Sequence, residues 1–142
     1  IRASPAPALA AGYTPESACA KDSGRGGWTH VKDNRRTLKN GKSTWGHVWL
    51  MWNRRLQKNC VVVIKTAYAG TPTYTQAILY VGKKGGGAYR DPGTLTAKKY
   101  RFYAAAIGYG KGDCVDFEGH TTDTRRDFGI ASARRNKFMN CG

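Results

Sequence analysis

Residues 45–66 read Trp45-Gly46-His47-Val48-Trp49-Leu50-Met51-Trp52-Asn53, then Arg54-Arg55-Leu56-Gln57-Lys58, then Asn59-Cys60-Val61-Val62-Val63-Ile64-Lys65-Thr66. Two apolar runs rich in aromatic and β-branched side chains flank a short polar connection, the pattern of a β-hairpin. The first run is apolar on both of its alternating faces, so the hairpin is expected at the centre of a sheet. Trp49 and Trp52 differ in strand parity, so at least one of them enters a core. Trp28, Trp45, Trp49 and Trp52 therefore cannot all line one sugar-stacking surface.

Outward from the hairpin, residues 74–81 read as a third strand that ends at Gly82-Lys83-Lys84-Gly85-Gly86-Gly87, a turn whose glycines accept positive φ. A short strand at 88–90 precedes the turn Asp91-Pro92-Gly93. Residues 99–108 alternate Lys99, Arg101, Tyr103 and Ala105 against Tyr100, Phe102, Ala104 and Ala106, which predicts a half-exposed strand with one basic face. Residues 114–118 and 128–134 bring the expectation to about seven strands. Residues 21–42 are polar and basic and read as loop, with one short strand at 28–31. Residues 1–18 carry three of the five prolines and six alanines, so an extended arm at 1–18 is expected ahead of a single β domain at 19–142. The fold class is all-β: a small antiparallel sandwich or barrel with glycine-rich turns.

The balance of 24 Lys plus Arg against 9 Asp plus Glu leaves a net charge of +15 over 142 residues. No run approaches the roughly 18 apolar residues of a bilayer span, and the apolar content is too high for a disordered basic tail. Cys19, Cys60, Cys114 and Cys141 lie far apart, without the paired spacing of a zinc site. An even number of cysteines in a small β chain reads as two disulfides and an exported, extracellular protein whose signal peptide has been removed. Of the three possible connectivities, chain proximity favours Cys19 with Cys60 and Cys114 with Cys141. Each such bridge contributes about 3.5 to 4 kcal/mol in the chain-entropy treatment.

Residues 21–65 hold 11 Lys plus Arg and 2 acids, which concentrates positive potential on the hairpin and the segment before it. Such a field accelerates association with nucleic acid, with an anionic cell-wall polymer or with an acidic protein. The strongest catalytic candidates are Glu118 and His120, followed by Arg125 and Arg126. A carboxylate base, an imidazole acid and a guanidinium are the parts of a metal-free ribonuclease. Residues 82–87 lack the Lys-Ser/Thr ending of a phosphate loop. Asp113, Asp116 and Glu118 lack the spacing of a calcium loop, so neither metal nor cofactor is expected.

The stretches Val48-Trp49-Leu50-Met51-Trp52-Asn53, Lys58-Asn59-Cys60-Val61-Val62-Val63, Asp91-Pro92-Gly93, Cys114-Val115-Asp116-Phe117 and Asn140-Cys141-Gly142, with the order of the four cysteines, resemble the spore-associated protein A family of exported actinobacterial proteins. That resemblance covers roughly residues 13–142 and implies a secreted, disulfide-linked β domain without established catalytic residues. The chain is more basic than that family, and its arm and its 21–42 segment are longer. In outline alone, it is also similar to the adaptor subunit of umbrella toxin particles. That likeness implies an arm inserted into a larger toxin protein. The expectation is thus a non-enzymatic adaptor whose arm, through Ile1, Arg2, Pro5, Pro7, Leu9 and Tyr13, docks with a larger acidic protein. Arg25, Lys32, Arg35, Arg36, Arg54 and Arg55 would meet that partner's charge. A polyanion binder or ribonuclease is the alternative.

Overall fold

A computed structural model of the chain describes residues 12–82 and 87–142. The arm residues Ile1 to Leu9 and the glycine turn at 83–86 lie outside the described residues. Among the described residues one α-helix, α1 (Pro15–Ser23), precedes nine antiparallel strands, with a 3-10 turn at Leu95–Ala97: β1 (Trp28–Asn40), β2 (Ser43–Asn53), β3 (Lys58–Lys65), β4 (Thr73–Val81), β5 (Ala88–Asp91), β6 (Lys99–Tyr100), β7 (Tyr103–Tyr109), β8 (Val115–Thr122) and β9 (Ile130–Arg134). They run in the order β5-β4-β8-β9-β1-β2-β3-β7, with β6 on β4. The result is a nearly closed barrel. Its two ends approach where Tyr89 of β5 lies over Gly108 of β7, a contact that a side chain at 108 would occupy.

The β2/β3 hairpin pairs Met51 with Cys60 and Val48 with Val63, in the centre of its half of the barrel. Its inward residues Val48, Leu50, Val61 and Val63 meet Leu79, Ala104, Ala106 and Phe117 in the main core. Its outward residues Met51, Cys60, Val62 and Ile64 are covered by α1 and join Ala18, Cys19 and Trp28 in a second core. Apolar side chains on both faces of β3 are thus buried for two separate reasons. Both disulfides pair as proximity predicts, Cys19 with Cys60 and Cys114 with Cys141. The first links α1 to β3, and the second ties the last residues to the start of β8.

Three expectations need correction. Residues 15–18 are helical and not part of an extended arm: Thr14 caps α1, Ser17 returns the bond in a capping box, and Gly24 ends it at φ 72°. Residues 28–40 form one long strand where a loop with a short strand was expected. Only Trp28 and Leu38 of β1 are buried, and between His30 and Arg35 five residues of β1 span two of β2. Finally, 99–108 is not one strand. The chain bends at 101–102, and Ala104, Ala105 and Ala106 are all buried because α1 covers the outward side of β7.

Two buried cations close the ends of the barrel. At one end the Lys65 side chain, 0% exposed, donates from Nζ to the carbonyls of Thr71 (2.6 Å) and Tyr100 (2.9 Å). At the other end Arg135 donates to the carbonyls of Asp33, Val115 and Lys137 and to Asn140 Oδ1. Across the middle, β8 presses on β2 and β3. A Cβ placed on Gly119 would sit 2.5 Å from Val63 Cγ2 and 2.8 Å from Val48 Cβ.

Gly119→Ala is expected to cost about 2 kcal/mol by overpacking, read as a lower urea midpoint. Gly87→Ala, where the added atom meets nothing within 4 Å, should stay within about 0.5 kcal/mol of the parent. Burial, and then the Arg101 charge, depress the Lys65 amine from 10.5 to about 8. Between those two values the unfolded chain binds more protons than the folded one, so this group makes stability rise with pH. Stability relative to Lys65→Met, followed by urea melts, should therefore climb from about pH 8 to pH 10.5; a flat difference would contradict it.

Candidate functional site

Three of the six basic residues singled out in the sequence converge at one place. Residues 24–27, between α1 and β1, and residues 53–56, at the β2/β3 turn, face each other across a groove of about 1140 Å³. Its lining contains Arg25, Arg54 and Arg55, with Gly24, Gly26, Gly27, Asn53 and Leu56 and no acidic side chain. All three arginines are exposed, and none forms an ion pair among the described residues.

The walls of this groove are held from beneath. Asn53 is 1% exposed: its Nδ2 donates to the Gly26 carbonyl (2.9 Å), and its Oδ1 accepts from the Leu56 amide (2.9 Å). One buried amide thereby fixes both walls. Trp28, buried under α1, donates from Nε1 to the Arg25 carbonyl (2.9 Å) and to Ser23 Oγ (3.1 Å). Gly27 sits at φ 91°, a backbone state that side chains strain, and a Cβ there would lie 3.7 Å from Asn53 Nδ2. Sequence reasoning found the arginines and missed Asn53. The available signal was an asparagine closing a strand before a turn, a residue whose side chain commonly bonds the turn backbone.

The other basic candidates are placed elsewhere. Arg35 stacks over the Trp49 ring at 5.4 Å, beside His30 and His47. Arg36 is neutralised locally by Asp33 (2.7 Å), whose carboxyl the guanidinium holds below its ordinary range. Lys32 is exposed in the irregular part of β1, where its carbonyl accepts from Asn140. Tyr13 is not a free contact. Its ring packs 4.9 Å from that of Tyr103 and 5.9 Å from that of Phe102, and its hydroxyl accepts from Lys21 Nζ (2.8 Å). This anchors the chain where it enters α1, at the opposite end of the helix from the groove.

Glu118 and His120 do come together, with Glu118 Oε2 2.7 Å from His120 Nε2. Both lie on the outer face of β8, which continues through His120 where a loop was expected. Arg125 does not join them in any hydrogen bond; it is held by Asp123, from Nε to Oδ2 at 2.6 Å. The guanidinium opposite Glu118 is that of Arg134, on β9. Asp116, one of the acids weighed for calcium, is buried against Arg134 (2.8 Å) and Arg135 (3.5 Å). Among the described residues no group of three or more His, Cys, Asp or Glu could hold a metal, and no helix is long and apolar enough to cross a membrane.

Comparison with protein-family models, curated proteins and solved structures finds no match to this chain.

Proposed function

We propose that this chain is a binding or adaptor protein that presents the groove between residues 24–27 and 53–56 to a larger acidic extracellular protein, alongside its N-terminal arm. The observation that carries this reading is the convergence of Arg25, Arg54 and Arg55 on one buried amide, Asn53, with no counter-charge in the lining. Three cations without acidic neighbours repel one another, and an anionic partner relieves that repulsion on binding. Holding the arginine-bearing loops from below lowers the ordering cost when the partner arrives.

The arm enters as a reading of composition. Its prolines and alanines lose less freedom on ordering than flexible polar residues do, and Tyr13 fixes the point from which it leaves the barrel. The motif resemblance to secreted spore-associated proteins, and the outline shared with a toxin-particle adaptor, favour an extracellular partner. Two disulfides accord with that compartment. Nucleic acid or an anionic cell-wall polymer would satisfy the same charges, so the experiment must separate them.

The intact protein, a variant lacking residues 1–12 and the triple variant Arg25→Glu/Arg54→Glu/Arg55→Glu are each incubated with culture supernatant of the source organism, with and without nuclease. The expected result is a discrete set of large acidic proteins held by the intact protein and weakened about 30-fold or more by charge reversal, as for desolvated charge pairs. Loss on arm removal as well assigns the arm a share. Retention of the same proteins by the reversed variant would overturn the groove reading. Nuclease-sensitive retention of nucleic acid alone would replace it with polyanion binding.

A further inference from the structure

The outer face of β8 and β9 carries a second constellation, which the groove does not use. In the antiparallel ladder Ser132 stands opposite His120, and Arg134 opposite Glu118. On its other side Ser132 is opposite Lys39 of β1. Glu118 and His120 are two residues apart on one strand and so share a face. The contacts form a line. The Tyr80 hydroxyl donates to Glu118 Oε1 (2.6 Å), Glu118 Oε2 meets His120 Nε2 (2.7 Å), and His120 Nδ1 meets Ser132 Oγ (2.6 Å).

The proton positions follow from chemistry. A carboxylate only accepts, so His120 Nε2 carries a proton toward Glu118. The neutral ring then has a bare lone pair on Nδ1, and Ser132 donates its hydroxyl proton to it. The His120 and Glu118 side chains are 17% and 20% exposed, whereas Ser132 lies at the surface. A reachable hydroxyl, an adjacent base and a third group that orients the base are the parts of an activated nucleophile.

We propose that Ser132 is such a nucleophile and that this face hydrolyses carboxylic esters. Ser132 Oγ attacks the acyl carbon as its proton passes to His120 Nδ1; the carbon–alkoxide bond breaks, and the leaving alcohol takes that proton. Water then gives a proton to Nδ1 and attacks the acyl carbon, and Ser132 Oγ departs with the proton. Ester and water become acid and alcohol, with no other reactant. Ser132 and His120 are the catalytic residues; Glu118 and Tyr80 position the ring. Lys39, in no ion pair among the described residues, is the cation in register with Ser132 for an anionic ester or the developing oxyanion. A ribonuclease needs an acid and a base on either side of a phosphate, whereas here imidazole and carboxylate serve a single hydroxyl.

The test is labelling of the full chain with a fluorophosphonate, which forms an Oγ–P bond, breaks P–F and releases fluoride, together with hydrolysis of p-nitrophenyl acetate. The expected adduct is at Ser132, forming about 100-fold or more faster than at exposed Ser43. It is absent in Ser132→Ala and slowed to the Ser43 rate in His120→Gln, with near-ultraviolet circular dichroism confirming that both variants fold. Glu118→Gln keeps the shape beside His120 Nε2 but removes the negative charge that faces the imidazolium formed on attack, so labelling at Ser132 should slow about 100-fold with the circular dichroism unchanged. A purely structural Glu118 would leave the labelling rate of the folded variant in place. Equal labelling of Ser43 and Ser132, or labelling indifferent to His120→Gln, would overturn the proposal.

Discussion

The barrel depends on one close approach, that of the β8 backbone at Gly119 onto Val48 and Val63. The two halves, β5-β4-β8-β9 and β1-β2-β3-β7, are joined in the ladder by a single registered pair, Lys39 with Ser132. On the far side they meet through Tyr89 and Gly108, without a continuous ladder. Hydrogen bonding across the seams is therefore sparse, and dispersion and apolar burial across the middle hold the halves together. A residue without a side chain at the crossing lets the valines of the central hairpin reach the facing backbone. Phe117 and Leu79 fill the space to one side.

The sequence of the hairpin was transparent because its physics is redundant. Seven of the eight residues of β3 are buried, with Val61 and Val63 turned to the barrel and Cys60, Val62 and Ile64 to the side that α1 covers, so the apolar run 60–64 has no interruption to misread. Strand β1 was hidden for the opposite reason. Eleven of its thirteen residues are partly or fully exposed and its register is broken, so it carries the composition of a loop. Helix α1 buries only Pro15, Ala18 and Cys19, too few for an amphipathic period. Its start was nonetheless written in Thr14-Pro15-Glu16-Ser17, a capping pattern that the proline-rich surroundings obscured. At the groove, the arginines could be counted from the sequence. Their convergence could not, because it rests on a hydrogen bond from Asn53 to Gly26, 27 residues away. Similarly, the strand expected at 114–118 runs on through His120, because the β-branched pair Thr121-Thr122 extends it.

The excess of positive charge is partitioned. Lys65 and Arg135 are turned inward, where backbone carbonyls take the place of water around them. Arg36, Arg125 and Arg134 are each matched to an aspartate. Of the cations that no acid matches, Arg25, Arg54 and Arg55 share one groove. Net charge alone does not show that local clustering, which raises the potential at the groove.

The two disulfides also determine how the molecule carries mechanical load. Cys19 is bonded to Cys60 and Cys114 to Cys141, so each closes off its intervening segment, with separations of 41 and 27 residues. Tension applied between the two ends of the chain enters at the first turn of α1, crosses covalently into β3, runs through β4 to β7 and leaves through the second bridge. Strands β1, β2, β8 and β9 lie outside that path. The groove wall at 24–27, the Arg54-Arg55 turn and the residues Glu118, His120 and Ser132 lie within the two closed loops and are therefore off that path, whereas Tyr80 of β4 lies on it. A pull on the N-terminal segment can strip the middle of the barrel before either covalently closed loop is drawn out.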